Sequence, residues 1–165
     1  MTRKLSSLLV VVGALVTVQA ATEDPKPPAQ PIPFNHKLHV GAGLQCNVCH
    51  PNAAKTARAG LPSAAQCMAC HAGIKKDSPA IQKLAAFQAQ PKPIPWARVY
   101  KLPDFIFFSH APHVNGKVTC AECHGPVEQR EALVAEVTHN MKNCMECHLV
   151  RKVTNECNVC HELGQ

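Results

Sequence analysis

The chain has 165 residues, of which 17 are basic and 11 acidic, and its formal net charge at pH 7 is +6. Aromatic residues make up 4% of the chain and there are 14 prolines, a composition that argues against a conventional hydrophobic core or a large sheet. There is no basic stripe with interleaved aromatic residues, so the sequence does not support nucleic-acid binding.

Residues 1–20 have the pattern of a secretory signal peptide. Arg3 and Lys4 precede an apolar run from Leu8 to Val18. The run is shorter than the ~20 residues that a transmembrane helix needs, and Val18-Gln19-Ala20 is a small-residue cleavage site. We therefore predict a periplasmic or extracytoplasmic protein exported by this signal. An uncleaved signal that anchors the chain is the alternative.

A proline-rich tract follows the signal. It runs from Pro25 to Pro33, and we predict that residues 21–33 form an extended N-terminal arm.

All ten cysteines of the chain lie in five copies of one pentapeptide, Cys-x-x-Cys-His. Two thiols three residues apart can each form a thioether with one porphyrin vinyl group, while the next imidazole reaches the iron; this is the c-type heme attachment signature. A zinc site or local disulfides would leave the histidine after each pair unexplained. We predict five covalently bound c-type hemes. The attachment cysteines are Cys46, Cys49, Cys67, Cys70, Cys120, Cys123, Cys144, Cys147, Cys157 and Cys160, and the proximal iron ligands are His50, His71, His124, His148 and His161.

Five further histidines match the five remaining axial positions one for one. They are His36, His39, His110, His113 and His139. Met141 is the only plausible competitor among the methionines. Because Met/His ligation raises the potential of a c-type heme and bis-histidine ligation lacks that shift, we predict low-potential hemes.

Four of these distal histidines form two pairs with the same spacing. His36 and His39 end seven residues before a heme cysteine, and so do His110 and His113. Residues three apart in one helical turn lie on the same side, with Cβ atoms roughly 5 to 6 Å apart. Each pair can therefore ligate two different irons but not one, and so clamps two hemes side by side.

Two helices are predicted outside the motifs. One begins at Ser78-Pro79 on capping grounds and turns Ile81, Leu84 and Ala85 to one face. The other covers Val127 to His139, with its inward residues being Leu133, Val134 and Val137. The predicted fold class is mostly irregular with a few short α-helices, in the manner of a multiheme cytochrome c whose hemes form the core.

The chain is organised as an imperfect duplication. Phe34 to His50 aligns without a gap on Phe108 to His124 at an offset of 74 residues. We predict a diheme unit at 34–90, a structured linker at 91–107 and a triheme unit at 108–165. Because the linker holds the only Trp and the only Tyr of the chain, Trp96 and Tyr100, we expect it to pack against heme edges between the units.

The second unit resembles the triheme class III cytochromes, the cytochrome c7 group, and the first resembles the same module without its third heme. The linker from Pro93 to Phe105 and the stretch from Ala59 to Pro62 are similar to the pentaheme cytochrome subunits of alternative complex III and related menaquinone reductase complexes. The resemblance implies redox protein partners, including a membrane quinol oxidoreductase complex. It also implies the axial pairings His36 with His50, His39 with His71, His110 with His124, His113 with His148 and His139 with His161.

We therefore predict a periplasmic pentaheme cytochrome that relays electrons between a quinol-linked membrane complex and a reductase or carrier. It is expected to be an electron-transfer protein and not an enzyme, without a small-molecule substrate. One alternative is a small multiheme reductase of the nitrite or hydroxylamine type, which needs one iron with an open axial position. The other is a structural cytochrome that forms wires through heme stacking.

Overall fold

The computed structural model describes residues 26–162, so the predicted signal peptide lies outside the described residues. Over that range the regular structure consists of short helices without a strand, and none of these helices is long and apolar enough to cross a membrane. The predicted fold class, mostly irregular with a few short α-helices, is confirmed. The α-helices are α1 (His36–Gly41), α2 (Cys46–Cys49), α3 (Ala64–His71), α4 (Pro79–Gln88), α5 (His110–Asn115), α6 (Cys120–His124), α7 (Met141–Val150) and α8 (Cys157–Cys160), with a 3-10 turn at Val127–Gln129.

Each cysteine motif starts or lies within a helix. In α2, α6 and α8 the helix consists of little more than the motif, whereas α3 carries it in its C-terminal half and α7 near its middle. Both of these longer motif helices have side-chain caps: Ser63 and Gln66 form a capping box at the start of α3, and the Asn140 side chain accepts from the backbone N–H of Asn143 at the start of α7. One helical turn therefore places the two thiols of a motif on the same side.

The hydrophobic core made by protein alone is small. Within residues 26–162 the buried hydrophobic side chains are those of Ile32, Ala64, Leu84 and Ile94, and α3 packs against α4 around them. The helix predicted from Ser78-Pro79 is confirmed as α4, with Leu84 as its buried residue. Ile32 belongs to the predicted N-terminal arm, so the described end of that arm is packed against the first unit.

The predicted helix from Val127 to His139 is wrong. Only the 3-10 turn at Val127–Gln129 is helical, and the chain beyond it is irregular. The reason is a competing acceptor: the Tyr100 hydroxyl accepts hydrogen bonds from the backbone N–H groups of Glu136 (3.0 Å) and Val137 (3.2 Å), which a helix would have paired with carbonyls four residues earlier. We expected three residues to turn inward, and all three are half-buried in this irregular segment: Leu133, Val134 and Val137.

The linker between the two units contacts both of them. The Trp96 indole N–H donates to the carbonyl of Pro62 at 3.2 Å, and the Tyr100 hydroxyl donates to the carbonyl of His124 at 3.5 Å. Ala97 exchanges two hydrogen bonds with the side chain of Gln30. These contacts position residues 96–100 between the units.

Candidate heme-binding sites

Apart from His124 and His139, whose rings meet edge-on at 6.0 Å, three pairs of histidine rings have centroids at the separation of two ligands of one metal ion. A metal–imidazole bond is about 2 Å long, so two rings on opposite sides of one ion have centroids roughly 6 Å apart. In each pair one histidine belongs to a cysteine motif and the other does not. The pairs are His39 with His71 at 6.1 Å, His113 with His148 at 6.1 Å and His110 with His124 at 6.3 Å. They are three of the five pairings that the family resemblance implies, and the pairings themselves stay predictions.

His36 and His50 lie near each other on one cavity wall. The pKa of His36 is lowered to about 4, mainly by burial and also by the neighbouring His50 and His39. Burial also lowers the pKa of His124 to about 4, with His139, His110 and His50 as additional causes. Both side chains are therefore neutral at pH 7, which is the form that binds a metal ion.

Backbone carbonyl groups hold most of the predicted ligand rings. A carbonyl can only accept, so an Nδ1 in contact with one carries the proton and leaves the Nε2 lone pair free for iron. The contacts are His39 to Asn35 (2.7 Å), His50 to Gly60 (2.7 Å), His71 to Ile74 (3.0 Å), His110 to Ala57 (2.8 Å), His113 to Ser109 (2.7 Å), His148 to Thr154 (2.7 Å) and His161 to Glu162 (3.0 Å). No sequence pattern signals a carbonyl acceptor, so sequence reasoning missed all of these residues.

Two phenylalanine rings brace the paired distal histidines. Each precedes its pair by two residues and touches both rings, the first edge-on and the second at an interplanar angle of 23° for Phe34 and 35° for Phe108. The centroid distances are 4.7 Å from Phe34 to His36, 4.4 Å from Phe34 to His39, 4.9 Å from Phe108 to His110 and 4.8 Å from Phe108 to His113. The repeated Phe-x-His spacing is the sequence signal for this role.

His139 is not placed opposite His161 in the structure. Its ring stacks on Tyr100 with 4.6 Å between centroids and meets His124 edge-on at 6.0 Å. The Nε2 of His139 is 2.6 Å from the carbonyl oxygen of Cys123, so this nitrogen donates a hydrogen bond. His139 must break that bond to ligate iron through Nε2, and its pairing with His161 stays a prediction.

A cavity of about 1,250 Å³ lies where the two units meet. It exceeds the ~300–1,000 Å³ of pockets for one small ligand. Its lining includes two complete motifs, Cys46 to His50 and Cys120 to His124, together with apolar residues such as Val40 and Val114. Burial raises the pKa of the thiols at Cys49 and Cys123, so these groups are protonated at neutral pH. Apolar walls, paired thiols and imidazoles with free Nε2 atoms fit c-type heme.

Comparison with known proteins gives two concordant matches. The family described as cytochrome c7 and related cytochrome c matches residues 32–88 and 106–162. The menaquinone reductase, multiheme cytochrome c subunit of Nitratidesulfovibrio vulgaris is 31% identical, and the alignment covers 81% of this chain and 77% of that protein. The resemblance based on the motifs and the linker is confirmed.

Proposed function

Because this chain belongs to the family of cytochrome c7 and related cytochromes c, we propose that it is a periplasmic pentaheme cytochrome that relays electrons through bis-histidine sites. Its class is multiheme cytochrome c, with covalently bound c-type hemes and a role in electron transfer. The number of hemes, their ligation and the compartment are the parts proposed here. The observation that carries the proposal is the set of three histidine pairs at ligand separation, in which five of the six Nδ1 atoms contact a backbone carbonyl oxygen.

The hemes, when bound, supply reversible one-electron chemistry. The residues of this chain determine where each heme is attached and how its axial imidazoles are oriented. Since the Nδ1 hydrogen bonds are made to backbone rather than to mobile side chains, the ligand rings keep their orientation when the charge at the iron changes by one. Rigid ligation of this kind suits a site that passes electrons on without binding a substrate.

A second candidate function follows from the position of His139. If its Nε2 stayed bound to the Cys123 carbonyl, the heme attached at Cys157 and Cys160 would have one open axial position. An open iron is what a small multiheme reductase needs. The one-for-one match of distal and proximal histidines favours the relay.

The relative suggests the partners. It is named as a subunit of a menaquinone reductase, and we propose that this chain also exchanges electrons with a membrane quinol oxidoreductase complex and with a reductase or carrier. Export by residues 1–20 would place it on the same side of the membrane as the apparatus that attaches hemes to Cys-x-x-Cys-His motifs.

Three measurements on the purified holoprotein test this function. The intact mass and the pyridine hemochrome should both give five hemes per chain. The ferric EPR spectrum should contain only low-spin signals, since every iron has two imidazoles. One full equivalent of high-spin iron would contradict the electron-relay function and favour the reductase function. A heme count of four or fewer would contradict the pentaheme assignment.

A further inference from the structure

The duplication seen in the sequence is also present in the three-dimensional structure. Positions 74 residues apart make the same local contacts in the two units. Leu44 N–H donates to His39 O at 3.2 Å and Val118 N–H to His113 O at 3.0 Å, while the left-handed turn positions Gly43 (φ +89°) and Lys117 (φ +63°) are also equivalent. The segments Phe34 to His50 and Phe108 to His124 therefore have the same local fold.

The two units hold each other through equivalent hydrogen bonds. In α1, the N–H of Lys37 donates to the carbonyl of Arg130 at 3.0 Å; in α5, the N–H of Ala111 donates to the carbonyl of Thr56 at 3.1 Å. Lys37 and Ala111 are 74 residues apart, and so are Thr56 and Arg130. Each distal-histidine helix is thus held by the loop that follows the first cysteine motif of the other unit. Such reciprocity is the mark of a two-fold interface, because a head-to-tail arrangement would make only one of the two contacts.

Residues near a two-fold axis must approach their own equivalents. Cys46 and Cys120, which are 74 residues apart, are close enough for their thiols to interact. His50 and His124, separated by the same offset, are close enough to interact electrostatically. All four residues line the cavity between the units.

We propose that the two units pack as an internal pseudo-two-fold dimer whose axis passes between the Cys46 and Cys120 motifs, so that electrons cross between the units at this junction. The inference rests on the proposed function, because it assumes that both motifs carry heme. One electron leaves the site on one side of the axis and is gained by the site on the other.

The thiols of the other three motifs indicate the spatial order of all five attachment sites. Cys67 of the second motif is close enough to Cys49 to interact electrostatically, as Cys123 is to Cys144 and Cys147 on the other side. Cys144 is in the same range of Cys160 of the last motif. The distal pairs His36/His39 and His110/His113 join the same neighbours, because His39 is opposite His71 and His113 opposite His148. The attachment sites therefore follow each other in space as second, first, third, fourth and fifth. The second and fifth sites are the two ends of the relay.

Nuclear Overhauser contacts between hemes in the fully reduced, diamagnetic holoprotein test this order. Each heme is assigned by the resonances lost or shifted in single distal-histidine variants. We expect contacts between the heme attached at Cys46 and Cys49 and the one attached at Cys120 and Cys123. The heme at Cys67 and Cys70 should have contacts only with the first. A contact between the second heme and any heme of the 108–165 unit, or no contact between the first and third, would overturn the pseudo-two-fold arrangement.

The same sample separates this inference from the proposed function. Five low-spin hemes with a different order of neighbours would overturn the junction alone. Fewer than five hemes, or a high-spin iron, would overturn the proposed function before the order is considered.

Discussion

Backbone carbonyl groups decide the tautomer of the predicted iron ligands. The His113 ring donates to Ser109 O within its own helical turn, whereas the His110 ring donates to Ala57 O in the other unit. A carbonyl acceptor is present whatever side chain occupies its position, so the tautomer is insensitive to substitution of Ala57 or Ser109. Such a substitution can affect the histidine ring only by moving the backbone carbonyl group that accepts its hydrogen bond.

Removal of a single distal histidine should open one identified heme. His113 faces His148 and His110 faces His124, so we expect His113→Ala to open the heme attached at Cys144 and Cys147, and His110→Ala the one at Cys120 and Cys123. Each variant should show about one equivalent of high-spin ferric iron by EPR.

The matched control is Met141→Leu, since that side chain is 68% exposed and is the methionine that would compete for an axial position. It should leave every heme low-spin. Retention of five low-spin hemes in either histidine variant, without a substitute ligand, would contradict the pairing.

Gly125 has a backbone conformation that other residues adopt only with strain. Its φ is +71°, and a Cβ at this position would lie 3.4 Å from the Glu136 side chain. We expect Gly125→Ala to destabilise the holoprotein by about 1–2 kcal/mol, which is the cost of left-handed backbone. Gly41→Ala is the control, because a methyl group at this helix end would have no neighbour within 4 Å. Denaturant unfolding followed by heme absorbance measures both, and equal midpoints would contradict the prediction.

At the scale of elements, the segment after the third motif is shaped by a side chain from the linker. Tyr100 accepts from Glu136 and Val137, and the Arg130 guanidinium pairs with the Glu136 carboxylate and lowers the pKa of that carboxyl. The pKa is lowered in the folded state, so the ion pair stabilises the fold at neutral pH and this contribution is lost as the pH falls through the lowered pKa. Contacts with the linker and this ion pair hold the segment in an irregular conformation where we expected a helix.

Tyr100→Phe should destabilise this segment while keeping the stack on His139. The two N–H groups lose their acceptor, and an unsatisfied buried group costs ~1–3 kcal/mol; partial exposure puts the expected loss at the lower end. Amide hydrogen exchange should speed up at Glu136 and Val137 and stay unchanged in α4. Phe105→Leu, at a side chain that is 46% exposed, is the control and should change neither. Unchanged exchange in Tyr100→Phe would show that the hydroxyl does not hold the segment.

Trp96 connects the linker to the first unit, through its hydrogen bond to Pro62 and its packing on the small core. We expect Trp96→Ala to slow electron equilibration between the diheme and triheme units without changing heme content, because the linker no longer fixes the spacing of the two units. Trp96→Phe, which keeps the ring but loses the hydrogen bond, should lie between Trp96→Ala and the unchanged protein. Photoreduction followed by heme absorbance measures the rate. Unaltered rates, together with cleavage of the native linker by proteases, would show that the linker is only a tether.

At the scale of the whole molecule, the protein contributes too little apolar contact to fold by itself. Within residues 26–162 four side chains are buried, and large apolar residues such as Leu149 and Val150 are 67% and 83% exposed. A chain with so little buried surface cannot offset its conformational entropy without covalent or metal-based staples.

We therefore expect the chain produced without heme attachment, kept reduced, to be largely unfolded. Its amide NMR spectrum should be poorly dispersed and its helix content by circular dichroism should fall well below that of the holoprotein. A dispersed, native-like spectrum of the heme-free chain would contradict the view that the hemes are the core.

Local chemistry explains which features could be read from the sequence. The Cys-x-x-Cys-His spacing, the paired histidines seen in α1 and α5, and helix α4 with Pro79 in its first turn each depend on residues within one or two helical turns. The family followed from the same motifs, because covalent attachment dictates their spacing whatever the rest of the chain does.

The tertiary structure alone decided what depends on residues far apart in the chain. Tyr100, 36 residues before Glu136, prevents the helix expected there, and the carbonyl of Ala57 orients His110 from 53 residues away. The reciprocal bonds of Lys37 and Ala111 likewise join loops of opposite units. Backbone groups make most of these contacts, and since every residue carries the same backbone groups, no pattern of side chains records which of them will meet.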